Sequence, residues 1–486
     1  MNHFPFLRVL IYTCICFFPF IVQCQVCTGS LGDPVVNITF GEGNTGASPY
    51  VPSLGYTYQT ADCPNDGFYT ITSATFNCYG DTWHTITQDH TGNGNFMLVN
   101  ASIEPNDFFL TTVTDLCPNT TYEFSSWINN VMKPYNSIRP DVVFTIEQPD
   151  GTILGTYDTG PIPVTSSPQW VKYGLLFTTP PDNATIVLRM HNNSPGGYGN
   201  DLGLDDISFR PCGANVTASI QGNADTVNLC DGDPVPGYNF FGSASSVYRS
   251  PAYQWQTSIN EGASWQDIAG ATDTTYYLSP RPSSAVGSYW YRFTVTDAAF
   301  TGVTSCRVAS NLLKITIHPL PVADAGPDRT YIKDYPVTLT GTATGESVSF
   351  MWSPSSYIDD VLSLSPVVTP PVDMIYTLAV QSVYNCKSAD DVKVKAADGI
   401  FVPNAFTPNG DGINDYWRIP YLDVGFDADV KVFNRWGALI YHVTAAPVSW
   451  DGKVNSIPQP AGTYVYLVTF KSGKMPQLKG TFTLIR

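Results

Sequence analysis

Residues 401–415 read F-V-P-N-A-F-T-P-N-G-D-G-I-N-D, followed by V-F-N-R-W-G at 432–437, W-D-G-K at 450–453, P-A-G-T-Y-V-Y at 460–466 and K-G-T-F-T-L-I-R at 479–486. Apolar residues alternate with polar ones through Val430–Asn434, Leu439–Val443, Gly462–Phe470 and Gly480–Ile485. That period of two, broken by Asn, Gly and Pro, predicts a small antiparallel β-sandwich. Its last strand coincides with the last residue of the sequence, so the C-terminus itself is expected to be read by a partner.

Outward from this unit the composition points the same way. A chain of 486 residues is too long for one core and predicts three or four domains. Charged and aromatic residues each make up 13%, and 39 Gly and 38 Pro punctuate runs of Thr, Val and Tyr, a mixture that reads as all-β. The formal charge of −17 repels phosphate backbones, which excludes nucleic acid as a natural partner and favours divalent cations.

Residues 1–24 read as a signal peptide, with Arg8 before an apolar run from Val9 to Val22 and cleavage expected after Cys24. No later segment is apolar enough to span a bilayer as a helix. Eight cysteines then remain in an exported chain, and none forms a C-x-x-C pair, so disulfides are expected rather than zinc. Cys27 and Cys212 bracket one domain, Cys63 and Cys78 would close a short loop, and Cys230 and Cys306 flank Trp255 in an immunoglobulin-like order. Cys306 lies well beyond Tyr289, so a bridge there is not the usual inter-sheet one. Cys117 and Cys386 have no evident local partner.

Residues 25–213 carry eight legible strands with turn chemistry between them, which predicts a jelly roll. The text C-T-G-S-L-G-D-P, W-H-T-I-T-Q-D-H-T-G, F-M-L-V-N-A-S, L-C-P-N-T-T-Y-E-F and G-N-D-L-G-L-D-D-I-S-F-R-P-C-G resembles the N-terminal jelly-roll, carbohydrate-binding-module-like unit of large Bacteroidota surface proteins. Residues 214–318 read as an Ig-like domain. Residues 319–396, with A-D-A-G-P-D, V-T-L-T-G, M-W-S-P and I-Y-T-L-A-V, resemble a PKD-like sandwich. Relatives of that sandwich carry a cysteine near Lys333 that pairs with the one at Cys386; it is absent here, which implies a free Cys386. Residues 397–486 resemble the gliding-motility-associated C-terminal domain, a type-B type IX secretion sorting module with an Ig-like sandwich fold.

Several constellations are candidates for chemistry. Asn409, Asp411 and Asp415 alternate oxygen ligands with glycines as calcium loops do, although the same residues make good backbone-capping turns. Resemblance to carbohydrate-binding jelly rolls implies a structural calcium held by Glu42 and Asp206. Trp83, His84, Asp89 and His90 carry a weak metal signal, with two histidines six apart and no third ligand at a familiar spacing. Trp127, Tyr157, Trp170 and Tyr198 are candidate sugar-stacking aromatics, though aromatics more often fill sandwich cores. No G-x-S-x-G, H-E-x-x-H or P-loop occurs, and no carboxylate pair stands out.

The sequence therefore predicts tandem β-sandwiches in an exported, non-enzymatic surface protein. Its expected partners are the type IX translocon, an outer-membrane anchoring protein and a glycan or other cell-surface ligand. The alternatives are a secreted accessory of polysaccharide degradation and a cryptic glycan-active enzyme.

Overall fold

A computed structural model describes residues 26–41, 55–92, 94–182, 185–282, 284–333, 335–420, 422, 428–444, 447–471 and 475–486. The signal peptide and Glu42 lie outside the described residues. The chain folds into two compact units. The first runs to Thr226 and adds Gly237–Ser279 and Tyr289–Lys314; the second takes Val227–Pro236, Pro280–Ser288 and Ile315–Arg486. Regular structure is almost entirely β.

The first unit begins with eleven strands: β1 (Val36–Ile38), β2 (Thr57–Tyr58), β3 (Phe68–Thr72), β4 (Phe96–Asn100), β5 (Asp107–Val113), β6 (Thr121–Asn130), β7 (Val142–Glu147), β8 (Ile153–Asp158), β9 (Val171–Thr178), β10 (Ile186–Asn192) and β11 (Leu202–Pro211). One sheet has the order β2-β3-β4-β11-β6-β9, with β1 also on β11, and the other has the order β5-β10-β7-β8. The period of two in β10 buries Ile186, Leu188 and Met190 while Val187, Arg189 and His191 face outward. Facing residues such as Phe109, Phe124, Phe144 and Phe209 fill the space between the sheets, with Phe124 edge-on to Phe144 at 5.3 Å. Shape-matched aromatic burial of this kind supplies much of a sandwich's stability.

The two-residue β2 and strands β5 and β8 escape the sequence reading. β5 starts Asp-Phe-Phe-Leu, where the period of two is lost, and β8 is an edge strand that buries only Tyr157. Two of the four disulfides follow the expected pairing and two do not. Cys27–Cys212 ties the ends of the jelly roll and Cys63–Cys78 closes a surface loop. Cys306, however, is bonded to Cys117, and Cys230 is bonded to Cys386. The expected flanking role of Cys230 and Cys306 is thus corrected: each lies at the margin of its sandwich and reaches a neighbouring one. Cys386 is not free, because Cys230 takes the place of the cysteine missing near Lys333.

The rest of the first unit is a second sandwich. Val216–Ile220, Tyr238–Ala244 and Thr275–Leu278 form one sheet, and Pro251–Ser258 pairs with Gly287–Asp297 in the other from Ser258↔Trp290 to Pro251↔Asp297. Trp255 is fully buried between Phe240 and Phe293, and its indole donates to the Asp273 carbonyl at 3.0 Å.

In the second unit, Arg329–Ile332, Lys387–Ala397, Met374–Gln381 and Ser349–Ser353 form a sheet over a core that includes Trp352, Tyr376 and Leu378. The C-terminal sandwich orders its main sheet Ala405–Phe406, Leu478–Leu484, Gly462–Phe470, Ala428–Phe433, Leu439–Val443. It is antiparallel except at one edge, where Ala405–Phe406 runs parallel to Leu478–Leu484. Trp417 and Trp450 face each other across a second short pair and pack with Phe482.

Candidate functional site

The outer face of the larger jelly-roll sheet is covered by the segment between β3 and β4, which brings its own small core of Cys78, Trp83 and Ile86 onto Phe96 and Leu98. The segment turns sharply because four residues, Asn77, Tyr79, Gly80 and Asp81, have φ between 51° and 69°. Asn, Asp and Gly accept that left-handed conformation, whereas for Tyr79 it is strained. The surroundings hold it there. The Tyr79 hydroxyl donates to the Pro64 carbonyl, Asn100 Nδ2 donates to that hydroxyl at 2.8 Å and to the same carbonyl at 2.9 Å, and Cys78 is bonded to Cys63.

A tight loop forms the opposing wall. Tyr198 sits between Gly197 (φ 141°) and Gly199 (φ 108°), and is 55% exposed. Gly199 is required by space as well as by φ, since a Cβ there would come within 2.5 Å of the Ile138 carbonyl. Ile138 and the loop exchange backbone hydrogen bonds, Ile138 N to Tyr198 O at 2.9 Å and Asn200 N to Ile138 O at 2.8 Å.

Between the walls is a cavity of about 170 Å³ bounded by Tyr79, Trp83 and Tyr198 and by the polar groups of Asn100, Asp66 and Asp201. Asp201 is 5% exposed, and its Oδ1 accepts the Ala101 amide at 3.1 Å. Burial pushes its carboxyl up to about 8, helped by the charge on Asp66 and opposed by hydrogen bonds from the Ala101 amide and the Trp83 indole. At neutral pH Asp201 therefore carries a proton and presents both a donor and an acceptor. Flat apolar rings beside convergent hydrogen-bonding groups match a sugar ring, which has C–H faces and a hydroxyl rim. The volume is below the roughly 300 Å³ of an ordinary small-molecule pocket. It suits one sugar unit or a chain end.

A second cluster gathers on the same sheet where β11 bulges between Asp205 and Ser208, with Asp206 at φ 47°. His90 Nδ1 meets Asp206 Oδ2 at 2.7 Å, the His90 amide donates to Asp205 Oδ2 at 3.0 Å, and the His90 ring stacks on Trp127 at 3.7 Å. One ligand atom from each of His90, Asp205 and Asp206 falls within 4.8 Å of the others. Asp205 is fully buried and is pushed up to about 7 by burial, then by the charges of Asp206 and Asp89. Neither Asp205 nor Asp206 has a Lys or Arg ion-pair partner among the described residues.

Of the four expected stacking aromatics, only Tyr198 lines the cavity. Tyr157 points into the sandwich core beside Phe144, Trp170 lies edge-on to Phe96 over Gly203, and Trp127 is covered by His90. They form no common platform, because they come from different elements: Trp127 from β6, Tyr157 from the inward register of β8, Trp170 from the residue before β9 and Tyr198 from the loop between β10 and β11. His84 is buried and meets the Thr165 carbonyl through Nε2 at 3.0 Å, apart from the His90 cluster. Tyr79 and Asp201 are missing from the sequence reading, and Trp83 enters it only beside His84, Asp89 and His90 as a weak metal signal. Their signal was the turn-rich C-Y-G-D-T-W between two buried strands.

In the C-terminal loop the oxygen ligands cap their own backbone. Asp415 accepts the Gly410 and Gly412 amides at 2.6 and 2.8 Å, and Asp411 accepts the Ile413 amide at 2.7 Å. The geometry there is that of a capped glycine-rich turn.

Three family models match parts of the chain: the CHU_C type IX secretion signal domain over residues 400–484, a carbohydrate binding domain (CBM_4_9) over residues 65–196, and a domain of unknown function (DUF8696) over residues 217–319. No curated protein sequence matches. Among solved structures, fibronectin(III)-like modules of Clostridium thermocellum CbhA align at 15% identity over 37% of this chain and 94% of theirs, with a TM-score of 0.20. A β-1,2-glucanase from Parabacteroides distasonis aligns at 15% identity over 47% of this chain and 33% of its own, with a TM-score of 0.19.

Proposed function

We propose that the protein is a surface-displayed adhesin that binds one unit or one end of a glycan between Tyr79 and Tyr198, with Asn100 and Asp201 hydrogen-bonding the sugar hydroxyls. The type IX secretion signal at residues 400–484, which marks the chain for export to the cell surface or beyond, and the carbohydrate-binding domain that precedes it support this reading. The observation that carries this reading is the cavity itself. The exposed Tyr79 and Tyr198 line it together with the buried Asp201 carboxyl, on loops held by a disulfide, paired glycines and a strained tyrosine. Preorganisation of that kind limits the ordering cost of binding.

The test is glycan-array binding by the full exported chain beside Asn100→Ala and Asp201→Asn. Retention of glycans by the parent and their loss from both variants supports the reading; an array without hits overturns it. The same samples, incubated with polysaccharides, separate a binder from an enzyme, since sugar release abolished by Asp201→Asn marks the site as catalytic.

A structural calcium on the His90 cluster belongs to the same proposal. Two carboxylates without a Lys or Arg partner among the described residues suit a hard divalent ion, with further oxygens needed to complete its shell. In this reading Asp205 and Asp206 hold the ion and His90 braces Asp206 against Trp127. The ion would neutralise buried charge and fix the β11 bulge.

A further inference from the structure

The C-terminal sandwich carries an exposed feature that neither its fold nor its core requires. Asn434, Arg435, Trp436 and Gly437 make the turn between Ala428–Phe433 and Leu439–Val443. Asn434 holds the turn tightly: its carbonyl accepts the Gly437 amide at 2.9 Å, and its Oδ1 accepts the Trp436 and Ala438 amides at 3.0 and 2.9 Å. Gly437 has φ 79°, as the last position of such a turn demands.

This rigid turn presents Trp436 to solvent. The ring is 73% exposed, whereas Trp417 and Trp450 of the same sandwich are buried. Folding does not call for it, and Trp is among the residue types most enriched as buried anchors of protein interfaces. The Arg435 guanidinium lies 4.2 Å from the Trp436 ring centroid. It has no carboxylate partner among the described residues, so its N–H groups remain available. The facing wall is Gln459-Pro460-Ala461-Gly462-Thr463, and together they enclose a shallow pocket of about 90 Å³. Tyr464 forms its floor, braced by its hydroxyl on the Pro460 carbonyl at 2.7 Å. Both Arg435 and Arg486 act on the Tyr464 phenol, which places a second unpaired guanidinium at this end of the sheet.

Charge identifies the kind of occupant. Residues 400–486 contain eight Lys and Arg against six Asp and Glu, while the rest of the sequence holds sixteen against thirty-five. The sorting sandwich is thus a basic end of an otherwise acidic mature chain, and Arg435 lies against its exposed indole. An arginine–tryptophan pair beside a proline-walled pocket fits an aromatic or aliphatic side chain next to a carboxylate.

We propose that the Asn434–Gly437 turn and the facing Gln459–Thr463 segment form the grip through which the export machinery holds this sandwich, and that the gripping partner presents an acidic segment. The proposal rests on the export reading and adds the residues and the partner's chemistry. Arg435 supplies the salt bridge and Trp436 the desolvated anchor.

The experiment expresses the full chain in its own cell and scores surface labelling against the periplasmic pool for Trp436→Ala, Arg435→Glu, Arg435→Lys and a deletion of residues 400–486. Trp436→Ala and Arg435→Glu are expected to lower surface delivery at least tenfold and to accumulate inside, with Arg435→Lys in between. Melting of the purified full-length variants should match the parent, since both side chains are exposed. If one variant melts early, the other decides. Normal delivery of both point variants, with the deletion retained, overturns the grip and leaves export by this domain intact. Normal delivery of the deletion overturns the export reading itself. A change from dimer to monomer without loss of delivery would assign the surface to a second copy and also overturn the proposal.

Discussion

Cys117 is disulfide-bonded to Cys306 across 189 residues, with their Cα atoms 5.6 Å apart, and the bond joins the jelly roll to the sandwich that follows it. The same junction holds a bidentate pair, Arg292 donating to both Asp33 oxygens at 2.7 and 2.6 Å, and a backbone hydrogen bond from Ala309 to Leu31 at 3.2 Å. Gly32 allows this approach, because a Cβ there would meet the Arg307 carbonyl at 1.9 Å. The cavity beside Tyr79 and Tyr198 is therefore mounted on a two-sandwich body.

Removing that bond as Cys117→Ala with Cys306→Ala should destabilise the first unit by about 2–4 kcal/mol, through the greater freedom of the unfolded chain. The readout is the denaturant midpoint of tryptophan fluorescence. Non-reducing peptide mapping supplies the check on connectivity. A peptide linking Cys230 to Cys306 would show the assignment to be wrong.

The Asp33–Arg292 pair is asymmetric, and so should be the response to breaking it. The Arg292 side chain is almost fully enclosed while Asp33 is nearly half exposed. Asp33→Ala strands a buried guanidinium with Gln256 Oε1 at 2.7 Å and the Trp265 ring at 4.2 Å as its company. We expect a loss of about 2 kcal/mol for Asp33→Ala and a smaller one for Arg292→Met, which fills the volume without a charge. Equal losses in the two variants would contradict this.

How much of this was legible in advance follows from what one-dimensional patterns encode. Alternation exposed most strands and the all-β class, because burial of every second side chain is a local signal. Cys27–Cys212 was legible because its members bracket one domain. Cys117–Cys306 and Cys230–Cys386 were not, since nothing local in the chain reports which sandwich margins meet. Tyr198 was found as an aromatic in a glycine loop, but Tyr157, one of its companions, faces the core because its register in β8 points it inward. Asp201 was overlooked for a similar reason: its depth depends on the Tyr79–Trp83 segment packed beside it, which is more than a hundred residues away in sequence.

Burial of Asp201 makes the molecule sensitive to alkali. The folded chain keeps the Asp201 proton up to about pH 8, whereas the unfolded chain releases it near the ordinary carboxylate value of about 4. Between those values the unfolded state is progressively favoured, so stability falls as pH rises, by at most about 1.4 kcal/mol per pH unit for this one proton. Asp205, raised to about 7, acts in the same direction. Asp201→Asn should flatten the slope between pH 5 and pH 8 without abolishing it. A slope of unchanged steepness in the variant would remove Asp201 from the account.

Calcium should counter that alkaline loss at the second carboxyl. With ion at about a hundredfold excess over its dissociation constant, binding to the folded chain alone stabilises it by about 2.7 kcal/mol. Thermal melts of the exported chain in calcium and in a chelator should differ by several degrees, and the difference should vanish in Asp206→Asn. Coincident melts in the parent would exclude a stabilising ion on the His90 cluster.

Tyr198 offers the cleanest separation of binding from folding. Its side chain is more than half exposed, and the loop conformation is set by Gly197, Gly199 and backbone hydrogen bonds to Ile138 rather than by the ring. Tyr198→Ala should therefore change stability by no more than about 0.5 kcal/mol, as exposed substitutions generally do. Loss of one wall of the cavity should weaken binding of the array-identified glycan about tenfold, since a stacked ring contributes roughly 0.5–1.5 kcal/mol beyond the area it buries. Tyr198→Phe should restore most of the affinity if ring contact is what matters, and isothermal titration of the three proteins measures both effects. Unaltered affinity in Tyr198→Ala would place the sugar elsewhere on the jelly roll, with the outward face of β10 around Arg189 the next surface to test.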